Sequence, residues 1–230
     1  MYRMGEEEVQ ELRKVFLNKQ LFRVGDPASG HLGEVVKFEQ AWAKHIGTEY
    51  ALLMSGGGTA ALMCGLVGLG IGPGDEVLIP AYTFMATASA VVAVGAIPVL
   101  VEVDDSCTMD PEDFEKKISP QTKAVIPVHM VGMPANMERI CEIARKHNLK
   151  VIEDACQAVG GSFKGKKLGA WGDAGAYSFN VFKIIGCGEG GGLVTSDRMI
   201  YERASIFHDS GTAFRPYAGE FTIPIFLGLQ

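Results

Sequence analysis

The sequence predicts an α/β fold in three layers, with a mostly parallel sheet in the middle and helices on both of its faces. Two observations support this prediction. Short apolar runs alternate with segments of helical periodicity along most of the chain. The segments between successive runs also have the length of right-handed crossover connections, which parallel strands require.

The N-terminal region predicts a helix followed by an irregular arm. Helical periodicity is weak over residues 6–17, and residues 18–33 are rich in glycine. An amphipathic helix follows at residues 34–46, with apolar residues at helical spacing and Gly47 after its end. We therefore divide the chain into an N-terminal helix and arm, residues 1–33, and a large domain, residues 34–230.

The large domain alternates between predicted strands and helices. The first five strands are expected at residues 50–54, 76–79, 97–101, 124–128 and 151–153. The helices between them are expected at residues 59–68, 86–93, 111–117 and 137–147. After Asp154 the pattern changes to two strand-like runs around a glycine-rich turn, followed by a helix. These elements are expected at residues 174–179, 192–195 and 198–207.

Composition narrows the class of protein. The 230 residues are 47% hydrophobic and 21% charged, as in an ordinary globular protein. A net charge of −6 without a block of like charge argues against nucleic acid or an anionic membrane as a partner. The first thirty residues lack the apolar core of a signal peptide, and five scattered cysteines lack the spacing of a zinc site. We expect a cytoplasmic protein with reduced thiols and no metal site.

The end of the sequence is unusual for a domain. Residues 221–230 form an apolar run without a charged tail. Because a domain rarely stops while it still supplies residues of a buried type, we expect the large domain to be incomplete.

Asp154 and Lys183 are the residues that indicate a chemistry. Asp154 ends an apolar strand, at the edge where parallel sheets bind ligands. Lys183 lies in a segment of apolar residues bounded by glycine, and an apolar environment favours the neutral, nucleophilic amine. Pyridoxal 5'-phosphate (PLP) requires both groups, a lysine for the Schiff base and a carboxylate for the pyridinium nitrogen. Alone, Asp154 has a helix cap as its alternative explanation, and an isolated lysine such as Lys183 is usually a solvated side chain.

A phosphate site is predicted where a strand meets a glycine-rich turn. Residues 55–62 follow a strand and open a helix, so free amides at Gly58, Thr59 and Ala60 can hold an anion. Ser178 can add a hydroxyl. The alternative is a plain capped helix after a tight turn. Phe84 follows the next strand and can stack on a planar ring, although an aromatic residue there is also compatible with the core.

Several neighbouring residues receive other assignments. Gln157 can reach the ring hydroxyl of a bound cofactor. The side chain of Glu153 points to the other face of the strand, and we expect it to make a structural contact. His129 follows the end of a strand, and we expect it to have a structural or supporting role. Residues 186–191 match the dinucleotide pattern G-x-G-x-x-G but lead into a strand. Residues 68–74 end a helix, so neither segment predicts a nucleotide site.

Five motifs, in order, resemble the DegT/DnrJ/StrS family of sugar aminotransferases, which are PLP enzymes of fold type I. They are Gly58-Thr59-Ala60-Ala61-Leu62, Pro80-Ala81-Tyr82-Thr83-Phe84, Pro127-Val128-His129-Met130-Val131-Gly132, Glu153-Asp154-Ala155-Cys156-Gln157 and Ser178-Phe179-(x3)-Lys183. The resemblance implies a Schiff base at Lys183 and a pyridinium partner at Asp154. It further implies that Gln157 contacts the ring oxygen, that Phe84 stacks on the ring, and that the phosphate is held by Gly58, Thr59, Ala60 and Ser178. It also implies a homodimer.

Three features depart from or refine the family pattern. An additional glycine is present in Gly56-Gly57-Gly58, which affects the geometry of the phosphate loop. Gly228-Leu229-Gln230 stands where the family has Gly-x-Asn followed by Arg, and we expect this chain to lack the small C-terminal domain of the family. A sister group of dehydratases carries histidine at the lysine position, so Lys183 favours transamination.

These features predict an aminotransferase that moves an amino group from an amino acid, expected to be glutamate, to a keto sugar linked to a nucleotide or to a keto cyclitol. The first alternative is a PLP-binding or regulatory protein without catalysis, or a truncated pseudoenzyme of the same fold. The second is a nicotinamide-dependent oxidoreductase, which rests only on the glycine patterns.

Overall fold

A computed structural model of the chain describes residues 4–209, 214 and 219–224. Within these residues the chain forms seven α-helices: α1 (Glu6–Asn18), α2 (Glu34–Ile46), α3 (Gly57–Gly68), α4 (Ala86–Ala93), α5 (Pro111–Lys116), α6 (Met137–Lys146) and α7 (Arg198–His208). The strands are β1 (Tyr50–Met54), β2 (Glu76–Pro80), β3 (Ile97–Val101), β4 (Thr122–Val125), β5 (Lys150–Asp154), β6 (Ser162–Phe163), β7 (Lys166–Lys167), β8 (Ala174–Ser178) and β9 (Gly191–Thr195).

Seven of the strands form one sheet in the order β1-β9-β8-β5-β4-β2-β3. The pairs from β3 to β8 are parallel, and β9 runs antiparallel to both of its neighbours, β1 and β8. Therefore β1, β2, β5 and β8 all end at the same edge of the sheet, and β9 begins there. The prediction of a mostly parallel sheet is confirmed.

Helices cover both faces of the sheet because side chains alternate along each strand. Ile152 of β5 and Ala176 of β8 belong to a buried cluster with α3, α4 and α7. Val151, one residue from Ile152, packs on the opposite face with α5 and α6. On that face the Trp42 ring of α2 meets the Tyr177 ring edge to face, with their centroids 5.1 Å apart. The three predicted layers are therefore present.

The predicted elements differ from the structure in small ways. Helix α3 begins at Gly57, two residues before the predicted start, and β4 ends at Val125. The hairpin of β6 and β7 was not predicted, because strands of two residues carry no apolar run. The apolar C-terminal run lies outside the described residues from residue 225 onward, and so does Gly228-Leu229-Gln230.

The N-terminal arm contacts the sheet through an ion pair. The guanidinium of Arg23 lies 3.0 Å from the carboxylate of Glu39 on α2, and Glu39 also accepts a 2.7 Å hydrogen bond from the Leu53 N–H. Burial raises the pKa of Glu39, against the lowering effect of Arg23. Helix α1, by contrast, has no buried residue. The division at residue 33 stays a prediction. Of the helices in the described part of the chain, none is long and apolar enough to cross a membrane.

Candidate functional site

The carboxyl edge of the sheet brings the predicted site residues to one region. Asp154 is the last residue of β5, and Ser178 is the last residue of β8. The turn after β1 leads into α3, which begins at Gly57, and the loop after β2 carries Phe84. Parallel strands open at this edge, where the backbone amides of following helices are free to bind a ligand. The fold thus positions every predicted cofactor residue without a long connection.

Asp154 is buried and is held by two conventional donors. Its side chain points to the face of α3 and α4, and the residue is 6% exposed. The Thr87 hydroxyl donates to Oδ2 at 2.9 Å, and the Cys156 N–H donates to Oδ1 at 3.1 Å. A carboxylate has about four acceptor positions. Asp154 therefore retains capacity for a further donor, and among the described residues no cation forms an ion pair with it.

Cys156 lies beside the Asp154 carboxylate. Its Sγ is 3.8 Å from the Ala176 carbonyl oxygen. Burial raises the pKa of the Cys156 thiol well above its ordinary value, and the neighbouring charge and hydrogen bonding of Asp154 raise it further. Lys183 acts in the opposite direction and lowers this pKa by its positive charge. Lys183 and Cys156 also line the same cavity.

Glu153 points to the opposite face of β5. Its carboxylate accepts four hydrogen bonds, from the backbone N–H groups of Gly169, Trp171 and Gly172 at 2.5–2.9 Å and from His129 at 3.0 Å. The His129 Nδ1 accepts the Ala135 N–H, so the proton of the neutral ring is on Nε2 and is donated to Glu153. These buried groups contact protein only, as expected for a structural network.

The N-terminus of α3 approaches Cys156 and Ser178 closely. A Cβ at Gly58 would lie 2.5 Å from the Cys156 Sγ and 3.1 Å from the Ser178 Cβ, so only glycine permits this contact. The preceding Gly57 has φ +69°, which also favours glycine. Gly56 is the N-cap and provides no side chain to cap the first amides. The additional glycine of the turn is therefore accommodated, and the helix begins with its amides free for an anion.

The hydroxyl groups that are predicted to bind the phosphate form few hydrogen bonds within the described part of the chain. Ser178 is buried, and its Oγ accepts only a 3.5 Å contact from the Asn180 N–H. Thr59 is half-buried in the first turn of α3, and no hydrogen bond of its hydroxyl is found among the described residues. Ala60 packs against the core, and its backbone N–H donates to the Gly56 carbonyl at 3.4 Å. Gly58 and Ser178 thus lie beside Cys156, whereas phosphate contacts of Thr59 and Ala60 stay a prediction.

Lys183 lies in the loop between β8 and β9. It borders a cavity of about 260 Å³ together with Cys156 and Gln157. Its backbone N–H donates to the Asn180 carbonyl at 2.9 Å, while its Nζ has no hydrogen-bond or ion-pair partner in the described part of the chain. A larger cavity of about 520 Å³ lies beside Thr195, at the opposite edge of the sheet, and includes none of the predicted site residues.

One expectation requires correction, and two remain open. The apolar neighbours of Lys183 were expected to form a dry segment, but Phe182 is 80% and Ile184 is 75% exposed. Composition cannot distinguish a buried loop from an apolar loop on the surface of one chain. Phe84 is 63% exposed, and its stacking on a cofactor ring stays a prediction. The Gln157 Oε1 accepts a hydrogen bond from the Val131 N–H at 3.1 Å, and its Nε2 donates to the Met130 sulfur. Its contact with a ring oxygen therefore stays a prediction.

Sequence reasoning missed Thr87, which provides the direct side-chain contact to Asp154. The two residues are 67 positions apart, so no local pattern connects them. The available signal was the position of Thr87 in the first turn of the helix that follows β2, at the same sheet edge as Asp154. Cys156 was assigned only as a thiol, although it lines the cleft.

In the part of the chain that the structure describes, a lysine without a hydrogen-bond or ion-pair partner and a buried carboxylate with spare acceptor capacity lie at the edge of a parallel sheet, near the N-terminus of a helix. These features match what PLP requires of the proteins that bind it. The chain belongs to the DegT/DnrJ/EryC1/StrS aminotransferase family, whose profile matches residues 3–228. Members of this family are PLP-dependent transaminases of fold type I.

Three known proteins illustrate the similarity. The GDP-perosamine synthase of Caulobacter vibrioides is 44% identical over 77% of this chain and 48% of its own length. The dTDP-3-amino-3,4,6-trideoxy-alpha-D-glucose transaminase of Streptomyces venezuelae is 42% identical over 83% of this chain and 51% of its length. The structure of NtdA from Bacillus subtilis with bound cofactor PMP has a TM-score of 0.81 and 32% identity, and covers 98% of this chain and 50% of that chain. The chain spans about half the length of the curated relatives it matches.

Proposed function

We propose that this chain carries the cofactor site of a PLP-dependent aminotransferase, which moves an amino group from an amino acid to a keto sugar. The observation that carries the proposal is the convergence at one sheet edge of Asp154, Lys183 and the uncapped N-terminus of α3. The cradle also fits the cofactor, because Gly58 lets the amides of α3 approach Ser178, where a Cβ would prevent it.

Each residue of the cleft has a defined role in this proposal. Asp154 would accept the proton of the pyridinium nitrogen as a hydrogen bond, using its spare acceptor capacity. The α3 amides and the Ser178 hydroxyl would hold the phosphate, and Phe84 would cover the ring face. When bound, PLP supplies the electron sink that stabilises negative charge at the substrate carbon.

Lys183 has two tasks, and its free Nζ suits both. As a neutral amine it is the nucleophile that would bind the cofactor covalently. The same Nζ would also serve as general base and acid, taking a proton from the substrate carbon and giving it back. No competing partner in the described residues has to be displaced for either task. We assign Gln157 to the ring oxygen, which requires its amide to turn from Val131.

The substrates are proposed from the relatives. Two relatives are named for GDP- and dTDP-linked amino sugars, and a further relative is a putative L-glutamine:3-amino-2,3-dideoxy-scyllo-inosose aminotransferase of Micromonospora echinospora, 36% identical over 93% of this chain. We therefore infer a nucleotide-linked keto sugar or a keto cyclitol as the acceptor. We keep glutamate as the proposed donor, and the last of these relatives makes glutamine the other amino acid to test.

A homodimer is part of the same proposal. Apolar side chains stand exposed around the cleft in the isolated chain, namely Phe84, Met85, Val131, Phe182 and Ile184. Exposed apolar patches of this kind mark interaction surfaces. A second copy of the chain would cover them and exclude water from Lys183. Light scattering after size-exclusion chromatography tests this, and a monomer at micromolar concentration would contradict it.

The function is tested by adding PLP to the purified chain and to Lys183→Ala and Lys183→Arg. Only the parent chain should show the visible absorbance of lysine-bound PLP, because arginine keeps the positive charge but cannot form the Schiff base. Amine transfer should fall at least about 1,000-fold in both variants. Lys116→Ala, which changes an exposed lysine on α5, is the matched control and should behave as the parent.

Other results would point to the alternatives. Lysine-bound PLP without transfer from glutamate to any keto sugar or cyclitol would favour a PLP-binding protein without catalysis. Binding of NAD but not of PLP would instead favour an oxidoreductase, and absorbance that is unchanged in Lys183→Ala would contradict the assignment of Lys183.

A further inference from the structure

Thr87 connects two elements that meet at the cofactor edge. It lies in the first turn of α4, is fully buried, and donates through Oγ1 to the Oδ2 of Asp154 at 2.9 Å. The Thr83 Oγ1, in the loop between β2 and α4, is 2.7 Å from the same Thr87 oxygen. The two hydroxyl groups thus form a chain of hydrogen bonds from the half-buried Thr83 to the buried carboxylate of Asp154.

The direction of these hydrogen bonds follows from the chemistry of the groups. An ionised carboxylate only accepts, so the single hydroxyl proton of Thr87 is directed to Asp154. The Thr87 oxygen can then accept the hydroxyl proton of Thr83, whose other acceptor, the Phe84 carbonyl, is more distant at 3.4 Å. The order of donation is therefore Thr83 to Thr87 to Asp154. Each bond in such a chain polarises the next, which strengthens the final bond to the charged group.

The hydrogen bonds from the two threonine hydroxyls help to offset the cost of burying the Asp154 carboxylate. The carboxylate is buried without a cationic partner among the described residues, which is costly for an ionised group unless donors satisfy it. The backbone N–H of Cys156 satisfies Oδ1, and Thr87 is the hydroxyl donor to Oδ2. Without Thr87, the Oδ2 atom would lose its donor and the carboxylate its fixed orientation.

We propose that Thr87 is a positioning residue for the cofactor site, which holds the Asp154 carboxylate in the orientation that faces the pyridinium nitrogen, and that Thr83 supports it by donating to its hydroxyl. The same chain couples the loop that carries Phe84 to the strand that carries Asp154. The proposal rests on the proposed function insofar as PLP is the ligand. Thr87 acts on the cofactor only through Asp154.

A double-mutant cycle with PLP as the probe tests this dependence. Thr87→Val removes the hydroxyl at nearly constant shape and should weaken PLP binding about 10-fold, as expected for the loss of a hydrogen bond to a charged group. Thr87→Ser retains the hydroxyl and should bind within about 2-fold of the parent. In an Asp154→Asn background, Thr87→Val should have little further effect, because the group through which it acts is already changed.

A merely structural role for Thr87 predicts a different pattern, with an equal loss of PLP affinity in both backgrounds. That result, or an unchanged affinity in Thr87→Val, overturns the proposal. The matched control is Thr195→Val, a buried threonine whose hydroxyl donates to the Asp173 carbonyl at the opposite sheet edge. Its PLP affinity should equal that of the parent. If Thr87→Val does not fold, Thr83→Val replaces it in the cycle, with an expected loss of about 3-fold that also disappears in Asp154→Asn.

A measurement without cofactor separates this proposal from the proposed function. If the parent chain binds no PLP, the proposed function fails, and a crystal structure of cofactor-free Thr87→Val decides the inference instead. The Asp154 carboxylate should turn from its position in the parent. A carboxylate that stays in place, at the same distance from the Cys156 N–H, overturns the positioning role.

Discussion

Glu153 and Asp154 are adjacent on β5, both bear a carboxyl group and both are buried, yet their surroundings differ. Glu153 has four hydrogen-bond donors for its four acceptor positions, all from the protein. Asp154 has two conventional donors and lies at a cleft near a lysine without a partner. The alternation of a strand places one carboxylate in each environment. The comparison teaches that spare acceptor capacity, rather than burial or charge, distinguishes the carboxylate available to a ligand.

The two networks also differ in what they connect. Glu153 holds the loop after β7 and the segment after β4 against the sheet, through Gly169, Trp171, Gly172 and His129. Its neighbour Tyr177, whose hydroxyl donates to the Leu168 carbonyl, has a pKa raised mainly by burial and then by the charge of Glu153. On the other face, Asp154 connects α4 to the cleft through Thr87. We therefore expect substitutions of Glu153 to affect stability and substitutions of Asp154 to affect the cofactor.

The largest effect is predicted for Glu153→Ala. It removes the common acceptor of four donors, two of them buried, and should lower the free energy of unfolding by about 3–5 kcal/mol. Urea denaturation of the cofactor-free chain measures this. Glu138→Ala is the matched control on the same face, because its exposed carboxylate pairs only with Lys164, and should cost under about 1 kcal/mol. An equally mild effect of both substitutions would contradict the structural role of Glu153.

Asp154→Asn should show the opposite pattern. The amide has the same size and keeps one oxygen acceptor, so the free energy of unfolding without cofactor should change by about 1 kcal/mol or less. The charge that pairs with the pyridinium nitrogen is lost, and conversion of bound PLP to its amine form by glutamate should slow at least about 100-fold. Absorbance follows this conversion. Wild-type rates in Asp154→Asn would show that the spare acceptor capacity has no function.

The sequence was sufficient to predict the sheet and the opposite directions of these two carboxylates. Apolar runs located the seven main strands, and alternation along β5 assigned Glu153 and Asp154 to different faces. The family resemblance was likewise confirmed. These features depend on local patterns, which a single sequence displays directly.

The contacts that complete the site could not be predicted in the same way. Thr87 reaches Asp154 across 67 residues, and a threonine at the start of a helix has many possible roles. The position of Gly58 against Cys156 required the relative placement of α3 and β5. The exposure of Phe182 was predicted wrongly, since apolar composition indicates that a surface tends to be covered but does not say whether the same chain covers it.

The smallest predicted effect uses a thiol on each face as a reporter of the local charge. Burial and Asp154 raise the pKa of Cys156, whereas the pKa of Cys141, raised to about 11 by burial, also responds to Glu153. A raised thiol pKa means a smaller thiolate fraction and slow alkylation at pH 8.5. Asp154→Asn removes a negative charge, which lowers the pKa of Cys156, so its alkylation should become about 2- to 5-fold faster.

Mass spectrometry of iodoacetamide-treated, cofactor-free protein resolves the two thiols. Cys141 serves as the internal control in the same molecule, because Asp154 is not among the groups that shift its pKa. Its rate should therefore remain constant in Asp154→Asn. Equal acceleration of both thiols would instead indicate general loosening of the sheet. A selective response of Cys156 would show that the charge of Asp154 is confined to the cleft face even before a cofactor binds, as its separation from Glu153 across the sheet requires.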